Sequence, residues 1–334
     1  CAFIAPRIAA KAKWGLPGTL AGLISVAFVY FLVAALVKWQ GKRLLDKFFP
    51  PVVIGPVIII IGLSLAPSGV DMAKTNWGLA AISLVTAVAV LSFTKGLIKL
   101  VPVLCGIIVG YIAACLMGVV DFQSVIDAPW FALPSSIANF QMPQLAWEPI
   151  LYMLPVAIAP VIEHIGNVYT TSAVAEKDFA NDPGLHKTLF GDGLACAFSA
   201  FIAGPPVTTY SEVTGAMQIT RIVDPKVIRI AAFTAVVFAL LGKVSAILQS
   251  LPASVLGGIM LLLFGTIASV GIQNLMQSKI DFSHTRNIVI VAVTLSLGIG
   301  GATLSAGSFE FGGIGLAAVV AVVLNLVLPK EKAE

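Results

Sequence analysis

Ala203-Gly-Pro-Pro-Val-Thr-Thr-Tyr-Ser-Glu-Val-Thr-Gly215 interrupts a chain that is otherwise a succession of apolar runs. Gly204, Pro205 and Pro206 stop a helix, residues 207 to 210 are β-branched and aromatic, and a helical pattern resumes from 212 to 220. The stretch therefore predicts an extended piece followed by a half-helix. The opening Cys1-Ala-Phe-Ile-Ala-Pro-Arg-Ile-Ala-Ala has the same plan, with Pro6 placed at a helix start. Non-helical backbone at membrane depth is tolerated only where protein or a cavity satisfies its N–H and C=O groups. Two broken segments in corresponding halves of a chain point to a transporter built from inverted repeats, with its site at the midplane between facing half-helix N-termini.

Composition supplies the membrane. Apolar residues make up 58% of 334 and charged residues 11%, with a mean hydropathy of +1.00. Soluble domains are roughly 45 to 50% apolar and about 25% charged. Twenty basic and sixteen acidic residues are too few to cover so much apolar surface against water. The net charge of +4 carries no suggestion of nucleic acid, because the basic residues are spread over short loops and form no patch. Cys1, Cys105, Cys115 and Cys196 have no metal-ligand spacing and read as small hydrophobes. The chain opens without a signal-peptide pattern and in mid-repeat, so the expectation is that an N-terminal piece is absent; a lipidated Cys1 is the weaker reading.

A helix needs about 20 mostly apolar residues to span a hydrocarbon core about 30 Å thick. That ruler gives ten full-length spans near 16–38, 50–66, 77–93, 100–120, 149–174, 187–204, 228–250, 252–276, 286–306 and 311–329, with two shorter crossing segments at 1–13 and 207–221. The connection 121–148, rich in Pro, Trp and Phe, is expected to lie along one membrane face. One alternate set of loops holds fifteen Lys and Arg, from Lys38 to Lys332, and the other only Arg7, Lys11, Lys13 and Lys74. Positive loops stay cytoplasmic, so the C-terminus is expected inside and 121–148 outside. Lys243, near the outer end of its span, is expected to snorkel to the interface.

Two carboxylates stand at membrane depth. Glu163 lies within Pro155-Val-Ala-Ile-Ala-Pro-Val-Ile-Glu-His-Ile-Gly-Asn167, and Glu212 in the second broken segment. A charge at a helix centre costs at least ~2.5 to 3.5 kcal/mol, so each must face a cavity, find a partner or carry a proton. The bland readings are a neutral acid bonded to a neighbouring helix for Glu163, and a residue favoured by a helix dipole for Glu212. Carboxylates, backbone N–H groups and the aromatic faces of Phe3 and Tyr210 suit a flat neutral molecule with alternating donors and acceptors, and suit an inorganic anion badly. An anion exchanger is therefore the weaker transport reading. A membrane enzyme lacks support, since His164, His186 and His284 have no ligand spacing and no nucleophile or cofactor motif accompanies them.

Pro160-Val-Ile-Glu-His-Ile-Gly, Asp182-Pro-Gly-Leu-His186, Thr208-Thr-Tyr-Ser-Glu-Val-Thr-Gly-Ala-Met-Gln-Ile-Thr-Arg221 and Leu256-Gly-Gly-Ile-Met-Leu-Leu-Leu-Phe-Gly265 carry a resemblance to the nucleobase–ascorbate transporter family. Phe48-Phe-Pro-Pro51 and Trp130-Phe-Ala-Leu-Pro134 extend it along the chain, and the bacterial uracil:proton symporters are the nearest likeness.

The resemblance implies an all-α polytopic membrane protein, an inverted 7+7 transmembrane repeat with core and gate domains and short strands in the two broken segments. The first two segments would be absent. Residues 1–120 would be the remainder of the first repeat (core 1–38, gate 39–120), 121–148 the outer connection, and 149–334 the second repeat (core 149–250, gate 251–330). It further implies proton-coupled import of a nucleobase, uracil before xanthine, across a bacterial inner membrane, with no cofactor and with a homodimer formed through the gate domain.

Glu163 and Glu212 would bond the ring, Phe3 and the backbone at Tyr210 and Ser211 would complete the pocket, and Glu163, His164 and Asn167 would serve proton coupling. Three positions depart from the uracil carriers. Ser211 stands where they usually have Gly, Val213 where they have Asn, and Asn167 where a His is expected. These bear on base selectivity and on the proton relay. His164 follows Glu163 directly and so faces another side of the helix, which leaves packing and proton transfer equally open.

Overall fold

The computed structural model describes residues 4–41, 47–133, 142–144, 146–205, 207–209, 217, 222–278, 280–306 and 309–329. Among them the protein is helical apart from one short hairpin. The chain falls into two compact units. The first is Cys1–Ser64, Phe140–Thr214 and Thr266–Glu334; the second is Leu65–Asn139 and Gly215–Gly265.

The first unit opens with α1, Ile4–Gln40, which is broken rather than continuous. Gly15 takes φ 68° and ψ −174°, a conformation open to a residue without Cβ, and Pro17 follows it. The hydroxyl of Thr19 donates to the Gly15 carbonyl at 2.7 Å, satisfying one acceptor freed by the break. The two segments expected at 1–13 and 16–38 thus meet at Gly15. The expected span 149–174 also divides, into α6, Trp147–Val156, and α7, Ile158–Ala175. Pro155 and Pro160 each remove a donor beside that junction. α8 is Leu185–Phe201, and it packs on α1, as does α6.

α12, Thr285–Ile299, pairs with α13, Gly313–Val327. The sequence ran a helix to 306. Instead Gly300 and Gly301, the latter at φ +63°, end α12, and β1, Thr303–Ala306, pairs antiparallel with β2, Phe309–Gly312. The glycine pair stops the helix, and the chain returns as a hairpin. Residues 207–209, where a short strand was expected, form none, and residues 1–3 lie outside the described residues. At the far end of α13, Arg286 donates to both the carbonyl and the side-chain oxygen of Asn325 at 2.7 Å, while Asn325 donates to the Lys47 carbonyl at 2.8 Å. A cation on the last carbonyls of a helix is the favourable arrangement.

α2, Pro51–Ala73, and α11, Ala253–Gln277, pass from one unit to the other. Within the first unit they touch backbone to backbone. A Cβ on Gly271 would lie 2.6 Å from the Gly55 carbonyl oxygen and 2.7 Å from the Ile59 nitrogen.

The second unit holds α3, Trp77–Phe93, and α4, Pro102–Leu116, which pack on each other; α5, Gln123–Asp127; α9, Pro225–Ala239; and α10, Gly242–Gln249. The side chain of Asn76 caps α3 by accepting from the Leu79 amide, and Asp224 caps α9 ahead of Pro225. Leu79, Ala114 and Val255 form its fully buried cluster. The expected single span 228–250 divides at Leu240 and Leu241, where the chain bonds the 121–148 connection. Ala132 N–H donates to the Leu240 carbonyl and Gly242 N–H to the Trp130 carbonyl. Lys243, expected to snorkel, turns its side chain to the 121–148 connection. Its ammonium donates to the carbonyls of Val125 and Ile126 at 2.8 and 2.7 Å, near the C-terminus of α5.

Among the described residues four helices are long and apolar enough to cross a membrane: Ala10–Gln40, Pro51–Ala73, Trp147–Ser172 and Ala253–Gln277. Shorter apolar helices accompany them at Trp77–Phe93, Pro102–Leu116, Thr285–Ile299 and Gly313–Val327. No residue of α9 is buried, and Ile230, Phe233 and Val236 are each more than half exposed. Such surface requires an apolar solvent.

Gly271→Val is expected to destabilise the protein by about 1–3 kcal/mol, because the added carbons meet backbone that cannot move aside as a side chain can. A lowered thermal midpoint in detergent, against an unchanged one for Gly265→Val, where no atom stands within 4 Å of a Cβ, checks this.

Candidate functional site

α7 brings Glu163, His164 and Asn167 into the interior of the first unit. They are 6%, 3% and 2% exposed, with the apolar Val161, Ile162, Ile165 and Val168 buried around them. The helix is thus buried on all sides over this stretch, and its polar groups must be answered by protein. α8 answers them from one face. Thr188, Asp192 and Cys196 follow one another at intervals of four residues, which stacks them along the helix.

His164 is held at both ring nitrogens. Nε2 lies 2.9 Å from the Thr188 hydroxyl, and that hydroxyl donates to the Leu185 carbonyl at 3.1 Å. With its own proton committed, Thr188 accepts, so Nε2 carries a hydrogen. Nδ1 lies 2.8 Å from Asp192 Oδ2 and 2.7 Å from the Thr209 hydroxyl. Thr209 in turn donates to the same Oδ2 at 2.8 Å. A single proton between Nδ1 and Oδ2 satisfies both atoms, whether it is counted to the imidazolium or to the carboxyl group. The pair is neutral overall in either form, which is the state a low-dielectric interior favours.

The same face of α8 fixes the run that leads into the second broken segment. Ala203 takes φ 59°, and the chain leaves the helix with Gly204 N–H donating to the Ser199 carbonyl at 2.6 Å. The Ser199 hydroxyl donates to the Pro205 carbonyl, and Cys196 Sγ to the Val207 carbonyl at 2.8 Å. Asn167 Nδ2 approaches the Thr209 carbonyl at 3.5 Å. Residues 204, 205 and 207–209 are therefore laced to α8 and to α7.

Of the residues singled out from sequence, the structure gathers Glu163, His164 and Asn167 on one helix. Phe3, Tyr210, Ser211 and Glu212 lie outside the described residues. Sequence reasoning missed Asp192. The signal was present, since Gly191-Asp192-Gly193 places a third carboxylate inside the expected span 187–204, at the same cost that drew notice to Glu163. Thr188 and Thr209 carried no signal of their own, because a hydroxyl in an apolar helix usually returns its proton to its own backbone. No group of three or more His, Cys, Asp or Glu poised to hold a metal ion occurs among the described residues.

Asp192→Asn and His164→Gln are expected to be non-additive in thermal stability, with a coupling of at least about 1 kcal/mol, as for residues sharing one network. Strict additivity in the double-mutant cycle would show that the Nδ1 to Oδ2 contact contributes nothing.

Comparisons with known proteins identify the family. A protein described as probable uracil permease from Pasteurella multocida is 46% identical over 340 residues, covering 99% of this chain and 81% of that protein. One of the same description from Haemophilus influenzae is 46% identical over 342 residues, covering 100% of this chain and 82% of the relative. The uracil permease of Bacillus subtilis is 41% identical over 350 residues, covering 100% and 80%. The model of the permease family matches residues 1–307. With its apolar helices, its buried polar network and this match over most of its length, the chain is a multi-pass membrane protein that belongs to the permease family.

Proposed function

We propose that this protein is a secondary transporter that carries uracil into a bacterial cell together with a proton. The observation that carries the reading is a carboxylate, Glu163, 6% exposed on a helix of membrane-spanning character, one residue from a His–Asp–Thr network that fixes the run leading to Tyr210, Ser211 and Glu212. The names of the similar proteins supply the base: uracil permeases at 41 to 46% identity.

Uracil offers a flat ring with alternating N–H and C=O groups and no charge. A buried acid suits it in either state, donating to a ring carbonyl when protonated and accepting from a ring N–H when ionised. Since ionisation at membrane depth is expensive, the protonated state accompanies substrate binding, and the proton leaves with the base on the cytoplasmic side. Because both nitrogens of His164 are already engaged, its part is to hold Thr209 and Asp192 in place, while Glu163 carries the transported proton. Glu212 would bond the opposite edge of the ring, with Phe3 and the backbone at Tyr210 and Ser211 closing the pocket.

The proposal includes an inverted 7+7 repeat with core parts near 1–38 and 149–250 and gate parts near 39–120 and 251–330, which would rock to expose the site alternately. It also places the C-terminus in the cytoplasm, the protein in the inner membrane, and a dimer contact on the gate domain. Xanthine is the competing substrate, since it shares the lactam edge. Ser211 in place of Gly would narrow the pocket and so favour the smaller ring.

The test is uptake of labelled uracil by the full-length protein in proteoliposomes. An inwardly directed proton gradient is expected to stimulate uptake, and Glu163→Gln to lower it at least tenfold. Uptake indifferent to the gradient would remove symport, and xanthine displacing uracil at equal or lower concentration would reassign the substrate.

A further inference from the structure

α1 comes closest to α8 at Gly193. A Cβ there would lie 2.9 Å from the Cβ of Tyr30 and 2.8 Å from a ring carbon of Phe31. Phe31 turns to Phe190, with ring centroids 5.0 Å apart. Tyr30, 0% exposed, is one of the largest fully buried side chains of the protein. Its hydroxyl lies beside that of Thr208, and the ionisable groups near enough to act on it are Asp192, Cys196 and Glu163. Neither the Tyr30 nor the Thr208 hydroxyl reaches solvent, and neither makes a hydrogen bond of normal geometry.

This is unusual for a tyrosine. A buried phenol hydroxyl ordinarily finds a partner, and leaving it without one is costly. The nearby groups are already committed. Asp192 accepts from Thr209 and pairs with His164, and Cys196 donates to the Val207 carbonyl. Thr208 sits between those last two anchored positions, Val207 and Thr209, so its own position is fixed by bonds made on either side. Two adjacent hydroxyls, each able to donate and to accept, are thus held rigidly within reach of the field of Glu163, and a contact between them spends at most one of their two protons. A polar ligand is what such groups answer.

We propose that Tyr30 and Thr208 form a further hydrogen-bonding edge of the nucleobase site, with the Tyr30 hydroxyl donating to a ring carbonyl of the substrate. The assignment rests on the transport function proposed above. It makes α1 a recognition element through a residue that the sequence pattern presents as ordinary core.

The experiment uses the full-length carrier in proteoliposomes and in detergent, with uracil, 2-thiouracil and 4-thiouracil as probes, sulfur being a much weaker acceptor than oxygen. The wild type is expected to prefer uracil to at least one thio isomer. Tyr30→Phe is expected to raise the KM for uracil about tenfold, the worth of one hydrogen bond, with little change in maximal rate, and to erase that preference. Thr208→Val is expected to raise KM as well.

In ligand-free protein, Tyr30→Phe removes a hydroxyl whose neighbouring partner is Thr208, so the thermal midpoint changes little while the shift induced by uracil shrinks. An unchanged KM and analogue profile in Tyr30→Phe would overturn the proposal. So would a KM raised equally for uracil and both thio isomers, a wild type blind to the sulfur, or a lowered ligand-free midpoint. Glu163→Gln in the same assay separates the two levels: impaired uracil binding there with an unaffected Tyr30→Phe overturns only this inference, whereas unimpaired binding in Glu163→Gln overturns the site itself.

Discussion

A hydrogen-bonding group inside the hydrocarbon layer has no water to turn to, and every polar atom placed there must be met by another atom of the protein. The interior of the first unit is organised by that requirement. His164 is met at both nitrogens, Asp192 is met twice on one oxygen, and the carbonyls of Pro205 and Val207 are met by Ser199 and Cys196, about one turn apart on α8. These bonds are what allow the chain to leave helical geometry after Phe201 without stranding its backbone. The same demand governs the breaks elsewhere. Thr19 answers the carbonyl freed at Gly15, and Arg286 answers the end of α13.

Glycine supplies the other half of the design. Apolar helices in lipid gain little from hiding one more leucine, so they associate by approaching closely enough for dispersion to act between backbones. Gly55 against Gly271 is a contact of that kind, and at Gly193 the backbone of α8 meets the Cβ of Tyr30 and the ring of Phe31. The second approach brings a tyrosine from α1 to the carboxylate-bearing face of α8, so packing and chemistry are joined at one residue.

Much of this was legible from the residues. The long apolar runs marked α3, α11 and α13 almost to their ends, because twenty apolar residues in a row have few other readings; α2 was placed at its start but ended at 66, where the helix runs on to Ala73. Glu163 declared itself by the cost of its charge, and the chain break at 204–206 by Gly-Pro-Pro. Periodicity failed where continuity of hydropathy hid a change of backbone. Residues 300–312 are as apolar and glycine-rich as a helix end in a bilayer often is, and nothing in their pattern separated a hairpin from a continuing span. Pro155 and Pro160 were visible, yet hydropathy ran through them. Asp192 lies between Gly191 and Gly193 in a run with no proline to mark a break, and the partners of His164 come from positions 24 to 45 residues away, which only the fold brings together.

The crossing of α2 and α11 at Gly55 and Gly271 has a mechanical meaning. Helices that interlock through bulky side chains move past one another only by lifting each knob out of its hole, a motion in discrete steps of one turn. At this crossing the side chain of Leu275 fills the notch left by Gly55, and that of Ile59 the notch left by Gly271. Each glycine is the hole for a knob from the other helix, so displacement of one helix along the other must first withdraw Leu275 and Ile59, and the pair of notches indexes α2 and α11 to a single register.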